Sequence, residues 1–211
     1  MNLSLPSRTH EVMICQSCYR PTRTRLLCQP CRSRMRSASD RLLVGGIRLV
    51  SAFEHTGPAR DLVHHLKYRG LTNYLELVTA VLADRLPVLP FVPVPRSISR
   101  QVRYGVDPAL IMARRLAQAK GSTVVRSLVS HPHSMRRAGG DHKKPVFPYR
   151  VQGLTQGPVI VVDDVFTTGA TLDAAVRSLG PDRVQSAVVA NVVPEVSSLL
   201  RLSAAHPTTQ V

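Results

Sequence analysis

Two adjacent carboxylates, Asp163 and Asp164, follow the apolar run Val159-Ile160-Val161-Val162 and precede a short loop, Thr167-Thr168-Gly169-Ala170-Thr171. From Leu172 onward apolar residues recur at helical spacing, so the pattern predicts a buried strand, a tight loop and a helix N-terminus in succession. A helix N-terminus leaves N–H groups without intrahelical partners and carries partial positive charge. The amides of Thr167 to Thr171 can therefore cradle a phosphate, with threonine hydroxyls as further donors. Gly169 permits a positive φ or a close approach of backbone to the anion. Ionised, Asp163 and Asp164 only accept hydrogen bonds; they repel a phosphate but suit a neighbouring ribose diol or a Mg²⁺ ion. The ligand shape these residues imply is a ribose 5-phosphate. The competing reading, a plain buried strand with an acidic turn, leaves two desolvated carboxylates without compensation.

A second constellation lies near the N-terminus, where Cys15-x-x-Cys18 and Cys28-x-x-Cys31 are separated by nine residues and account for all four cysteines. Paired knuckles of this kind can bring four thiolates to one tetrahedral centre, and a structural zinc ribbon is the expectation. All four positions being cysteine, the metal is expected to be structural rather than catalytic. His10 is an alternative ligand or an exposed loop residue. Residues 1–40 carry seven arginines against two acidic residues. This basic ribbon is open to two readings, a docking surface for nucleic acid or an acidic partner, and a solvated charged face.

The elements needed to position these groups can be read from spacing and punctuation. Residues 42–53 read as a β-hairpin around Gly45-Gly46. A helical stretch over 60–68 leads into Leu71, Tyr74, Leu75, Val78, Val81, Leu82 and Leu86, the apolar stripe of one long helix that Pro87 stops. Residues 91–95 form a short strand. Asp107-Pro108 and Gly121 bracket the next helix as N-cap, first-turn proline and C-terminal glycine. Residues 124–129 read as a strand and 130–150 as a long polar, basic loop. After the strand and helix of the acidic motif, Gly180-Pro181 stops the helix and 184–193 is a last apolar strand. Strands alternating with helices imply an α/β fold, a parallel sheet covered by helices on both faces, with ligands at the carboxyl ends of the strands. The chain divides into a ribbon-like segment, 1–40, and an α/β domain, 41–211.

Composition bounds the function. Twenty-eight Lys and Arg against thirteen Asp and Glu give a net charge of +15. That excess attracts polyanions, or serves only solubility. Aromatic content is 4% and tryptophan is absent, so a base-stacking platform is poorly supplied. No apolar run approaches the eighteen or so residues of a membrane span, and no signal-peptide core is present; a cytoplasmic location is expected.

The segment 159–171 resembles the phosphoribosyl pyrophosphate (PRPP) motif of type I phosphoribosyltransferases. By that resemblance Asp163 and Asp164, the implied catalytic pair, hold the ribose hydroxyls with Mg²⁺, and Thr167, Thr168, Gly169, Ala170 and Thr171 wrap the 5-phosphate. Thr167 stands where hypoxanthine-type enzymes carry a further aspartate, which argues against a purine acceptor. A four-cysteine ribbon, then Leu66-Lys67-Tyr68-Arg69-Gly70, Val92-Pro93-Val94-Pro95 with following arginines, and the PRPP motif occur in the order that resembles the ComF family, over about residues 12–193.

The resemblance implies a type I phosphoribosyltransferase-like fold and a role in natural transformation or the handling of incoming single-stranded DNA, beside a competence helicase. No G-x-x-x-x-G-K-[ST] loop is present, so a motor must be another protein. Pro95, Arg96 and Ser97 inherit the pyrophosphate-binding position. Arg96, Arg100 and Arg103 are either its counter-charges or surface residues, and Lys67 and Arg69 either reach a phosphate or cap a helix end. The chain departs from the family where it reads Tyr104-Gly105-Val106-Asp107-Pro108, without the usual arginine, asparagine and glutamine. It departs again at Ser134-Met135-Arg136-Arg137. The resemblance therefore carries PRPP binding further than turnover.

Overall fold

A computed structural model describes residues 12–43, 45–96, 103, 105–130, 149–153 and 156–194. The N-terminal ribbon contains β1 (Met13–Ile14) paired antiparallel with β2 (Pro21–Thr22), then a short helix α1 (Gln29–Arg32). β3 (Arg41–Leu42) turns through Gly45-Gly46 into β4 (Arg48–Glu54), the expected hairpin. Then come α2 (Gly57–Arg69), α3 (Tyr74–Leu82), β5 (Phe91–Pro93) and α4 (Pro108–Lys120). The minor strands β6 (Leu128–Val129) and β7 (Arg150–Val151) pair with each other, and β8 (Val159–Phe166), α5 (Ala170–Leu179) and β9 (Val184–Val192) complete the described chain.

The main sheet has the order β3-β4-β9-β8-β5, and every pairing except the β3 hairpin is parallel. Strand β8 is apolar on both sides because both sides are covered. Ile160 and Val162 pack with Leu62, Leu66, Leu75, Met112 and Leu116 of α2, α3 and α4. Val159 and Val161 pack with Leu172, Ala175, Val176 and Leu179 of α5 on the opposite face. Complete burial of an aliphatic side chain such as Ile160 contributes about 1.5–3 kcal/mol.

The sheet is wound in both directions from one point. From β5 the chain passes through α4 to Val124, which bridges Phe91 in parallel on the outer edge of β5; from β8 it passes through α5 to β9 on the other side. The winding reverses between β5 and β8, and the carboxyl ends of these two strands frame the crevice position that ligands favour in such sheets.

Two sequence expectations need correction. The apolar stripe from Leu71 is not one helix: α2 ends at Arg69, Gly70 takes φ +68°, the Leu71 amide closes back on the His65 carbonyl, and α3 starts only at Tyr74. A left-handed glycine cap overrides the spacing. The strand expected over 124–129 is broken into the single bridge at Val124 and β6. Phe91 uses its N–H and C=O toward Thr123 and Val125, but the next residue facing that edge is Pro93, which has no N–H, so the ladder stops. Most of the loop expected over 130–150 lies outside the described residues.

Candidate functional site

The strand–loop–helix unit expected from sequence is present, and its loop amides are open. Gly169 is the N-cap of α5 with φ +81°, and a Cβ built there would lie 3.0 Å from the Phe166 ring. Glycine is thus required twice over, by backbone conformation and by space. Among the described residues, none accepts a hydrogen bond from the N–H of Thr167, Thr168, Gly169 or Thr171, and the Ala170 amide makes only a 3.5 Å contact with Thr168 Oγ1. Thr167, Thr168, Ala170 and Thr171 are exposed and Gly169 between them is buried, so the unpaired threonine amides lie at the positive, solvent-facing end of a ten-residue helix.

Asp163 and Asp164 lie on the last half of β8, and strand alternation sends them to opposite faces. The Asp164 carboxylate faces α2, where Lys67 Nζ lies 3.1 Å from its Oδ1. The Asp163 side chain lies toward Tyr149 and the α5 face, and its Oδ1 accepts the Asp164 amide at 2.8 Å. Burial, and then the charge of Asp164, push the Asp163 carboxyl up to about 8, against the smaller opposing effects of that amide and of Lys67. The acids therefore bracket the strand end instead of lying side by side. Asp164 is paired with an ammonium, while burial favours the protonated form of Asp163.

Across the crevice, Pro95 and Arg96 follow β5 beside β8. The Arg96 Nη1 donates to the Val106 carbonyl at 2.8 Å and makes a 3.5 Å contact with the Lys67 carbonyl. Gly70 approaches Val106 as well. The Lys67-Tyr68-Arg69-Gly70 segment, the Pro95-Arg96 turn and the 105–107 segment thus meet at one place, although they are far apart in sequence. Ser97 and Arg100 lie outside the described residues, and Arg103 is exposed. Asp107 caps α4 by accepting the Leu110 amide at 3.2 Å, and burial raises its carboxyl above the ordinary range.

Sequence reasoning missed a buried polar network behind the acids. Asn191 on β9 is fully buried; its Nδ2 donates to the Ala59 carbonyl at 3.0 Å and meets His55 Nδ1 at 3.3 Å, and its Oδ1 accepts the Tyr74 hydroxyl. The signal was available, since Asn191 is the one amide side chain inside the apolar run Ala187 to Val193. Lys67 stands out in the sequence, but its partner Asp164 cannot be read from spacing.

The four cysteines converge. One sulfur from each of Cys15, Cys18, Cys28 and Cys31 lies within 4.8 Å of the others, and Cys18 Sγ is 3.5 Å from Cys28 Sγ. Four sulfurs about 2.3 Å from a tetrahedral metal stand roughly 3.8 Å apart, so the cluster can bind a metal such as zinc. Burial raises the Cys15 thiol, but the amides of Cys18, Cys28 and Ser17 outweigh it and bring the group down to about 6. Burial and the neighbouring sulfurs push Cys31 up to about 12. Cys15, Leu27 and Cys31 pack into the same apolar cluster as α2, and Ser17 Oγ donates to Asp61 Oδ2 at 2.7 Å.

A doubly wound sheet with an unpaired-amide loop and an acidic pair at its reversal point defines an α/β protein with a candidate anion site at the carboxyl ends of its strands. More particularly, the chain resembles ComF-type proteins. It is 24% identical over 174 residues to Competence protein ComFC of Bacillus subtilis (strain 168), covering 79% of this chain and 71% of the relative. Similar solved structures include an orotate phosphoribosyltransferase from Aeropyrum pernix, at 20% identity and TM-score 0.37 over 82% of this chain and 84% of that one. Another is a purine phosphoribosyltransferase from Pyrococcus horikoshii Ot3, at 22% identity and TM-score 0.36 over 59% and 74%. No family model matches the chain. Among the described residues no helix is long and apolar enough to cross a membrane.

Proposed function

We propose that the chain is a ComF-type protein that binds PRPP with Mg²⁺ in the crevice between β5 and β8. The observation that carries this reading is the open set of Thr167, Thr168, Gly169 and Thr171 amides one loop away from Asp163 and Asp164. The loop takes the 5-phosphate; Asp163 and Asp164 take the ribose hydroxyls; Pro95 and Arg96 are assigned the pyrophosphate, together with Ser97 by the family resemblance. Mg²⁺ fits here because Asp163 and Asp164 offer hard carboxylate oxygens at the end of β8, and when bound it would neutralise pyrophosphate charge.

In phosphoribosyl transfer these residues would orient the sugar for inversion at the anomeric carbon and stabilise the departing pyrophosphate. A second reading, PRPP sensing without turnover, is favoured by one feature: Asp107, in the segment that departs from the family pattern, is committed to capping α4. The cysteine cluster is proposed to hold a structural Zn²⁺. The relative's name supports a role in competence, and net charge +15 is compatible with a polyanion such as single-stranded DNA as partner; a helicase beside it is what the ComF resemblance implies.

Calorimetric titration of the full chain with PRPP and Mg²⁺ tests the reading. Saturable binding that weakens at least tenfold in the Asp163→Ala/Asp164→Ala double variant supports it, and absence of binding to the folded wild type overturns it. Pyrophosphate release with a nitrogenous acceptor then separates transferase from sensor.

A further inference from the structure

His55 follows β4 directly at the carboxyl end of the sheet, where its backbone N–H donates to the Val192 carbonyl at 2.7 Å. Its half-buried ring leans on the Asn191 network, and that network dictates its protonation. The Ala59 carbonyl can only accept, so the group facing it at 3.0 Å must be the Asn191 NH₂ and not its oxygen. The opposite edge of the amide is consistent with this assignment, because Asn191 Oδ1 takes the proton of the buried Tyr74 hydroxyl. The second N–H of Nδ2 then points to His55 Nδ1, which must present a lone pair. A proton on Nδ1 would set two donors against each other at 3.3 Å. The ring hydrogen is therefore confined to Nε2, and among the described residues none is hydrogen-bonded to that nitrogen.

We propose that His55 is a ligand-positioning residue, locked by Asn191 as a neutral imidazole whose Nε2–H donates to an oxygen of the sugar pyrophosphate held beside Asp164. The charges that act on the ring electrostatically are Lys67 and Arg60 of α2 and Asp164 of β8. Burial and the two cations favour the neutral ring, and Asp164 opposes them weakly. A carboxylate such as Asp164 accepts from a sugar hydroxyl but cannot donate to its oxygen; a fixed N–H nearby supplies the missing polarity. An imidazolium would attract any anion, whereas a neutral donor adds direction and responds little to pH. This inference rests on the PRPP reading for the identity of its ligand, but not for the tautomer.

Two measurements test it. In nitrogen-15 spectra of the ligand-free wild type at pH 7, His55 should show an acceptor-type Nδ1 and a protonated Nε2; an Nδ1–H tautomer or an imidazolium overturns the proposal. In calorimetric titrations with PRPP and Mg²⁺, His55→Phe should weaken affinity about tenfold, while His55→Gln, whose amide nitrogen falls near Nε2, should stay within about threefold of wild type. Equal affinities of wild type and folded His55→Phe overturn the positioning role. Absence of binding in the wild type overturns the PRPP reading instead, and with it the ligand named here.

Discussion

The cysteine cluster and the proposed sugar-phosphate site are built on opposite plans. The cluster draws all its ligands from seventeen successive residues, Cys15 to Cys31, and its sulfurs face one another. The proposed site gathers Lys67, Arg96, Asp107 and the 163–171 segment from four separate stretches that only the sheet order brings together. A local site needs one ion to complete it and fails as a unit when a ligand is lost. A distributed site divides its tasks, so one partner can be removed while the others persist. The two regions also touch: Ser17 and Tyr19 of the ribbon reach Asp61 and His65 of α2, the helix that also places Lys67 on Asp164.

The sharpest way to break the comparison is to attack the local site. Cys31 is almost fully buried among the residues of the main core, so Cys31→Ser should abolish stoichiometric zinc binding and cost about 3 kcal/mol, roughly 10 °C in Tm for a chain of this size. Metal analysis and thermal denaturation check it, and a fully loaded variant with unchanged Tm would show that the cluster is not a metal clip. Next in size is Asn191→Leu. It leaves the Tyr74 hydroxyl and the Ala59 carbonyl without their partner in the interior, at a cost of about 2–3 kcal/mol in urea denaturation.

A smaller effect sharpens the electrostatic side of the distributed site. The Asp163 carboxyl is raised to about 8, above its value near 4 in an unfolded chain, so the ligand-free folded protein holds a proton that the unfolded chain has released. Its contribution is fully present below about pH 4 and is lost as pH rises toward 8. Asp163→Asn should therefore raise Tm relative to wild type at pH 8, with the gain shrinking to nothing near pH 4; parallel melts across that range read it directly. The smallest expected effect is at Arg36, which is exposed and 3.9 Å from Glu54. Arg36→Ala should change stability by less than about 0.5 kcal/mol in the same denaturation assay.

The plans also explain what could be read from sequence. The cysteine cluster and the strand–loop–helix unit were legible because their groups are consecutive, and spacing reports local geometry well. The parallel sheet followed from alternating strands and helices, and α4 from its Asp107 and Gly121 caps. Helix α3 was drawn too long because apolar spacing continued through Gly70, where backbone handedness decided the outcome. The strand after Gly121 was overdrawn because its partner edge carries Pro93. The pairing of Lys67 with Asp164, and the locking of His55 by Asn191, depend on which strands are neighbours, a property no local pattern contains.

The central claim is that the loop 167–171 grips a sugar phosphate through its own backbone. Amide chemical-shift mapping of the isotopically labelled chain on addition of PRPP and Mg²⁺ tests it most directly. The largest downfield shifts are expected at the N–H groups of Thr167, Thr168, Gly169 and Thr171, with saturation at one ligand per chain. Unmoved loop amides, with shifts confined to the arginine-rich ribbon, would contradict the account and leave only non-specific anion binding.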